Sequence, residues 1–141
     1  MTAEDPGDVL VDALVRCTFQ VTGVLTRIGA ANDLSLTQLR VFGILRDRRL
    51  RVTDLAAYLG LDKSTMSGLI DRAERRGLLA REKSPSDGRV VEVYLTPVGH
   101  DLTRRLYAEL RAALAPALDR LSPGQREQLL GLLEPLLGPA G

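Results

Sequence analysis

Between Thr53 and Gly99 the chain runs through a fixed order of local signals. A short helical pattern (Thr53 to Leu59) turns at Gly60 into a second (Asp62 to Arg76), which stops at Gly77. Two strand-like runs follow, LLAREK and VVEVYL, joined by the polar tip SPSDGR. Helix, tight turn, helix and β-hairpin in this order make a winged helix-turn-helix, a unit that presents its second helix to the major groove of DNA.

The rest of the chain flanks this unit with helices. Leu10, Leu14, Cys17, Val21, Val24 and Ile28 recur at spacings of four and three, predicting a helix from about Val9 to Ala30 with an apolar seam of coiled-coil type. Such a seam at a terminus calls for a partner. After Asn32-Asp33, Ser35 and Gln38 form a capping box, and the helix they open turns Leu39, Phe42 and Leu45 inward before the charged stretch RDRRLR. Beyond the hairpin, Thr96 caps and Pro97 begins a long helix through Leu102, Leu106, Leu110 and Leu114, which Pro116 should kink or end. Ser122, Pro123 and Gln125 open a last, leucine-rich helix. The expected fold class is mainly α with a small β-wing. Residues 1–141 form one domain, in which 35–96 are the DNA-binding unit and 8–34 and 97–138 the dimerisation helices.

Composition narrows the function. One domain of 141 residues buries roughly 68–70% of its unfolded surface, and 45% hydrophobic with 26% charged residues is ordinary for a globular protein. No uninterrupted apolar run reaches the ~18 residues of a membrane span, and the acidic start (Glu4, Asp5, Asp8, Asp12) is unlike a signal peptide. A single cysteine excludes an intrachain disulfide framework, and a cytoplasmic location is expected. The net charge is only +1, but residues 46–92 hold 11 Lys/Arg against 8 Asp/Glu, so the middle is modestly basic between acidic flanks. There is no phosphate loop, dinucleotide fingerprint or acid–base pair, so enzymatic activity is not expected. One His and one Cys without clustered carboxylates make a poor metal site, and neither metal nor cofactor is expected; His100 reads as a solvated or capping residue.

In the helix 62–76, Met66, Leu69, Ile70 and Ala73 share one face and should pack on Leu55, Ala56 and Leu59. The opposite face carries Ser64, Ser67, Gly68, Asp71, Arg72 and Arg75, with Lys63 and Thr65 near its start. Short hydroxyl side chains fit a groove about 12 Å wide and meet base edges and phosphates, and a helix N-terminus favours phosphate oxygens. At the tip, Asp87-Gly88 is a favoured turn pair; Arg89 follows, placed to enter a minor groove, with Asp87 able to orient its guanidinium.

The stretches LSLTQLRVFGIL, VTDLAAYLGLDKSTMSGLIDRAERRGLL and SPSDGRVVEVYLTPVG resemble the MarR family of bacterial transcriptional regulators, including the D-x-R of the wing (Asp87, Arg89) and the exit Leu95, Thr96, Gly99. The resemblance implies a homodimer with interlocked terminal helices on pseudo-palindromic double-stranded DNA, usually a repressor, often relieved by a small aromatic effector. By matching position, Lys63, Ser64, Thr65, Ser67 and Arg72 of the recognition helix and Asp87 and Arg89 of the wing contact DNA. An effector site between the dimer helices and the winged unit would be lined by Arg16, Phe19, Arg40 and Tyr107. One branch of the family senses peroxide through a first-helix cysteine supported by tyrosines of the next helix. Here no tyrosine lies between residues 1 and 57, which favours a packing role for Cys17 over redox sensing. The urate-responsive branch needs a first-helix tryptophan, and the chain has no Trp. The rival from another class is a winged helix that binds protein instead of DNA; retention of Arg72, Arg75 and Arg89 argues against it.

Overall fold

The computed structural model describes residues 5–138, so Glu4 of the acidic N-terminal group lies outside the described residues. Helices α1 (Pro6–Ala31) and α2 (Leu36–Leu45) precede a two-residue strand β1 (Leu50–Arg51). Then come α3 (Val52–Leu59), α4 (Lys63–Arg75), the hairpin β2 (Leu79–Lys83) and β3 (Val91–Leu95), and finally α5 (Pro97–Leu118) and α6 (Pro123–Leu137). The fold is mainly α with a three-stranded antiparallel sheet of order β1-β3-β2, the architecture expected.

The elements start and stop where side chains satisfy the backbone. Ser35 and Ser122 each close a capping box, with Gln38 and Gln125 returning the bond. Gly60 and Gly77 end α3 and α4 with φ of 67° and 74°. That left-handed conformation costs glycine little, and it lets the amides of Leu61 and Leu78 reach back to the carbonyls of Ala56 and Ala73.

One core lies under the winged unit. Met66, Leu69, Ile70 and Ala73 of α4 are buried together with Leu55 and Ala56 of α3, as the helical spacing predicts, while Leu59 is half-buried. Phe42 and Leu45 of α2, Val93 of β3, and Leu102 and Leu106 of α5 complete it. Thr96 joins the wing to α5: its amide donates to the Leu78 carbonyl at 3.1 Å, and its hydroxyl donates to the Gly77 carbonyl and accepts from the Gly99 amide at 3.0 Å. At the same end of α4, Arg76 donates to the carbonyls of Asn32 and Asp33, tying α4 to the α1–α2 turn.

Four local features add to what the sequence predicts. RDRRLR does not simply close α2, because Leu50 and Arg51 pair with Val93 and Glu92 as β1; two residues carry no alternation, and the strand exists only because β3 offers a free edge. Pro116 does not end α5, which continues to Leu118. A proline two residues from the helix end removes one amide donor while its fixed φ still suits the helix. Cys17 is exposed in the protomer, and the N-terminal seam positions Leu10, Leu14 and Val21 are exposed with it. Finally, α1 is long and apolar enough, by length and composition alone, to cross a membrane, which counting uninterrupted runs missed.

Candidate nucleic-acid interface

Helix α4 begins because Asp62, in extended conformation, accepts from the Thr65 amide at 2.7 Å. The Ser64 hydroxyl donates to the same oxygen at 2.8 Å. These bonds favour the ionised form, so the Thr65 amide first, then the Ser64 hydroxyl, hold the Asp62 carboxyl below its ordinary value. The Ser64 hydroxyl proton is thereby engaged within the cap. Lys63, Ser64 and Thr65 are exposed, Ser67 and Gly68 are half-buried, and Arg72 is exposed with a guanidinium nitrogen close over Gly68.

The charges on this face are sorted. Lys63, Arg72 and Arg75 have no carboxylate partner within salt-bridge distance among the described residues. The two acidic residues, Asp71 and Glu74, are both held by Arg81 of β2, which bonds Glu74 through Nε and Asp71 through Nη2. Partial burial works to lower the Arg81 pKa, but Glu74 and then Asp71 outweigh it and raise the group above its ordinary value. Arg81 escaped the sequence reading because its partners lie seven and ten residues upstream, outside any helical or strand periodicity.

The wing tip is a closed loop. The Ser84 amide donates to the Val90 carbonyl at 2.8 Å and the Val90 amide to the Asp87 carbonyl at 3.0 Å. Asp87 Oδ1 accepts from the Arg89 amide at 3.0 Å and from Arg89 Nε at 3.4 Å. The orienting role read for Asp87 thus has a geometric basis, although Arg89 belongs to the tip and β3 starts two residues later. The Arg89 side chain is 92% exposed.

Recognition helix and wing meet at a cleft of about 260 Å³ lined by Arg51, Val52, Thr53, Lys63, Arg89, Val90 and Val91. Three cations from three elements therefore surround one opening: Arg51 at the start of α3, Lys63 at the start of α4, and Arg89 on the wing. Of the predicted contact residues this cleft gathers Lys63 and Arg89. Ser64, Thr65, Ser67 and Arg72 lie along α4 outside it, and Asp87 stands behind Arg89. Arg51 was missed; the signal available was its place immediately before the first helix of the helix-turn-helix.

A second feature lies between the flanking helices and the winged unit. A cavity of about 60 Å³ is lined by Leu25 and Ile28 of α1, Leu39, Phe42 and Gly43 of α2, and Thr103, Leu106, Tyr107 and Leu110 of α5. Tyr107 lies beside Gly43, and the Arg46 guanidinium sits 4.3 Å above its ring. Of the four residues proposed to line an effector site, Tyr107 is here. Arg16 is on the exposed part of α1 paired with Asp12, Phe19 is 71% exposed, and Arg40 lies over Tyr58 at 5.6 Å. The apolar residues of α2 that line the cavity had been read only as core.

Comparison with known proteins fits this geometry. A MarR family model matches residues 32–90. The chain is 34% identical over 96 residues to the uncharacterized HTH-type transcriptional regulator YfiV of Bacillus subtilis, covering 67% of this chain and 60% of that one. It is 33% identical over 87 residues to the HTH-type transcriptional repressor Rv2887 of Mycobacterium tuberculosis, covering 62% and 63%. The matches thus span about three-fifths of these relatives' own lengths. The solved structure of Bordetella bronchiseptica BpsR, whose DNA binding is regulated by 6-hydroxynicotinic acid, superposes with a TM-score of 0.67 at 27% identity, covering 98% of this chain and 96% of that one. With this helix-turn-helix and wing between flanking helices, the chain belongs to the MarR family of winged helix-turn-helix proteins.

Proposed function

We propose that the protein is a sequence-specific DNA-binding transcriptional regulator, a repressor, that works as a cytoplasmic homodimer on pseudo-palindromic operators. The observation that carries this reading is the cleft where Arg51, Lys63 and Arg89 converge beside the hydroxyl-rich face of α4. Phosphate contacts from the cations position the protein, while Ser64, Thr65 and Ser67 face base edges. Arg89, carried clear of the sheet and braced by Asp87, reaches the adjacent minor groove.

Surface that a protomer leaves uncovered supports the dimer. Helix α6 has no buried residue although it carries Leu129, Leu130, Leu132, Leu133, Leu136 and Leu137. Valine and leucine side chains from Val9 to Val21 are also exposed on α1. A 15-residue helix is marginal without tertiary packing, so α6 needs a partner surface. A second copy offers the same leucines in return and covers α1, which accounts for its apolar composition without a membrane.

Release by a small aromatic effector is the regulatory part of the proposal. The cavity around Tyr107 touches α1, α2 and α5, so an occupant there sets the angle between the dimer arms and the reading heads. At about 60 Å³ it falls below the ~300–1,000 Å³ of ordinary ligand pockets and must open to admit a ring. An effector releases DNA only if it binds the opened arrangement more tightly than the DNA-bound one. Selection of genomic fragments by the purified protein, followed by footprinting, tests the proposal. It expects an inverted repeat with half-site centres about one helical turn, ~10 bp, apart; recovery of no fragment above background would reject it.

A further inference from the structure

We infer that Arg81 is the positioning residue of the interface: it neutralises Asp71 and Glu74 on the recognition helix and locks that helix to the wing in the spacing DNA requires. The inference rests on the DNA-binding reading and adds to it a residue outside the groove-facing set.

Without Arg81, the exposed part of α4 would carry carboxylates beside the phosphates its neighbours are meant to hold. Asp71 stands four residues before Arg75, the spacing at which helix side chains pair, and Glu74 adds a second negative charge between Arg72 and Arg75 in sequence. Direct pairing within the helix would cancel those cations. Instead both carboxylates turn to one guanidinium from β2, whose planar fork satisfies two acceptors at once. Arg72 and Arg75 are left without a carboxylate partner among the described residues.

The same bonds have a mechanical consequence. Arg81 is on β2, opposite Val93 of the central strand, and β2 and β3 carry the tip that holds Arg89. Two charge-assisted bonds from this strand to consecutive turns of α4 fix the rotation of the helix relative to the wing. The side chains of Arg81, Glu74 and Asp71 are 31%, 35% and 50% exposed, so water screens the cluster in part. Removing it exposes two negative charges and loosens the helix–wing angle together.

The test uses the full chain, its selected operator duplex and a scrambled duplex of equal length, titrated at two salt concentrations. Arg81→Ala should lose on the order of tenfold affinity for both duplexes at low salt, with a smaller loss at high salt as the exposed carboxylates are screened. Adding Asp71→Asn and Glu74→Gln to Arg81→Ala should recover most of the low-salt loss on the scrambled duplex, which repair of a merely structural defect would not do, while operator affinity stays below the parent's because the helix–wing lock is still absent. Asp71→Asn with Glu74→Gln on the parent background does not depend on Arg81→Ala folding. It frees the guanidinium charge, so binding to the scrambled duplex should rise by about threefold or more and the specificity ratio should fall. Parent-like affinity of Arg81→Ala, a loss independent of salt and of the carboxylates, or an unchanged scrambled-duplex affinity in the double variant would each overturn the inference. Absence of salt-dependent binding by the parent itself would instead reject the DNA-binding reading on which it rests.

Discussion

Gly99 sits where the first turn of α5 presses on the base of the wing, and adding a single methyl there should be costly. A Cβ on Gly99 would lie 2.1 Å from the Leu78 carbonyl oxygen and 3.1 Å from Leu95 Cδ2. Ordinary contact begins near ~3.4 Å, so α5 and the backbone leading into β2 must separate by about 1.3 Å. The oxygen that must move also accepts from the Thr96 amide, so displacement weakens the bond that joins α5 to the wing. Overpacking of about 1–3 kcal/mol plus a lost bond of about 0.5–1.5 kcal/mol gives roughly 2–4 kcal/mol for Gly99→Ala. In a chain of this size that lowers the melting temperature by on the order of 10 °C. Thermal denaturation followed by circular dichroism, at fixed protomer concentration because a dimer's stability depends on it, reads the effect. Gly124→Ala is the matched control. Its Cβ meets nothing within 4 Å, so stability should stay within about 1 kcal/mol of the parent. A Gly99→Ala protein as stable as the parent would refute the close-approach argument. Since Gly99 joins the arm that sets half-site spacing to the unit that reads it, operator affinity should also fall at temperatures where the variant is folded.

Arg89→Ala should weaken binding to operator and scrambled duplexes alike by about 1–3 kcal/mol and reduce the salt slope, whereas Ser67→Phe should damage operator binding more than non-specific binding; both are read by titration at two salt concentrations. Leu14→Asp or Val21→Asp should give smaller particles by light scattering and abolish binding to an inverted repeat, because paired half-sites need two subunits. Asp62 has a folded-state pKa below its ordinary 3.8, so its capping contribution is fully present above that value and is lost as pH falls through the lower folded value. Asp62→Asn should accordingly flatten the stability profile below about pH 4, as melting curves on either side of that value would show, with the parent losing more than the variant on acidification.

The parts of the fold that sequence made legible are those governed by local chemistry. Ser35, Thr96 and Ser122 cap their helices because a short oxygen-bearing side chain can reach an amide three residues on, a relation visible in one dimension. The buried face of α4 was equally plain, since Met66, Leu69, Ile70 and Ala73 repeat with the helix. What escaped depends on chain segments meeting in space. Strand β1 is two residues borrowed by the edge of β3, and no pattern in RDRRLR announces it. Arg81 reads as one more polar strand residue until β2 is laid beside α4. The cleft shared by Arg51, Lys63 and Arg89 draws on positions 12 and 26 residues apart along the chain. Cys17 belongs to a seam legible in the sequence, whose burial needs a surface that a protomer does not contain.

The central claim is that two copies of the chain read two symmetric half-sites. Its most direct test is titration of the purified protein against an inverted repeat drawn from its own footprint, with stoichiometry measured by native mass spectrometry at several salt concentrations. The account predicts two protomers per duplex, protection of both half-sites with centres about one turn apart, and affinity that falls steeply with salt. A single protomer protecting one asymmetric site, or affinity indifferent to salt, would contradict it.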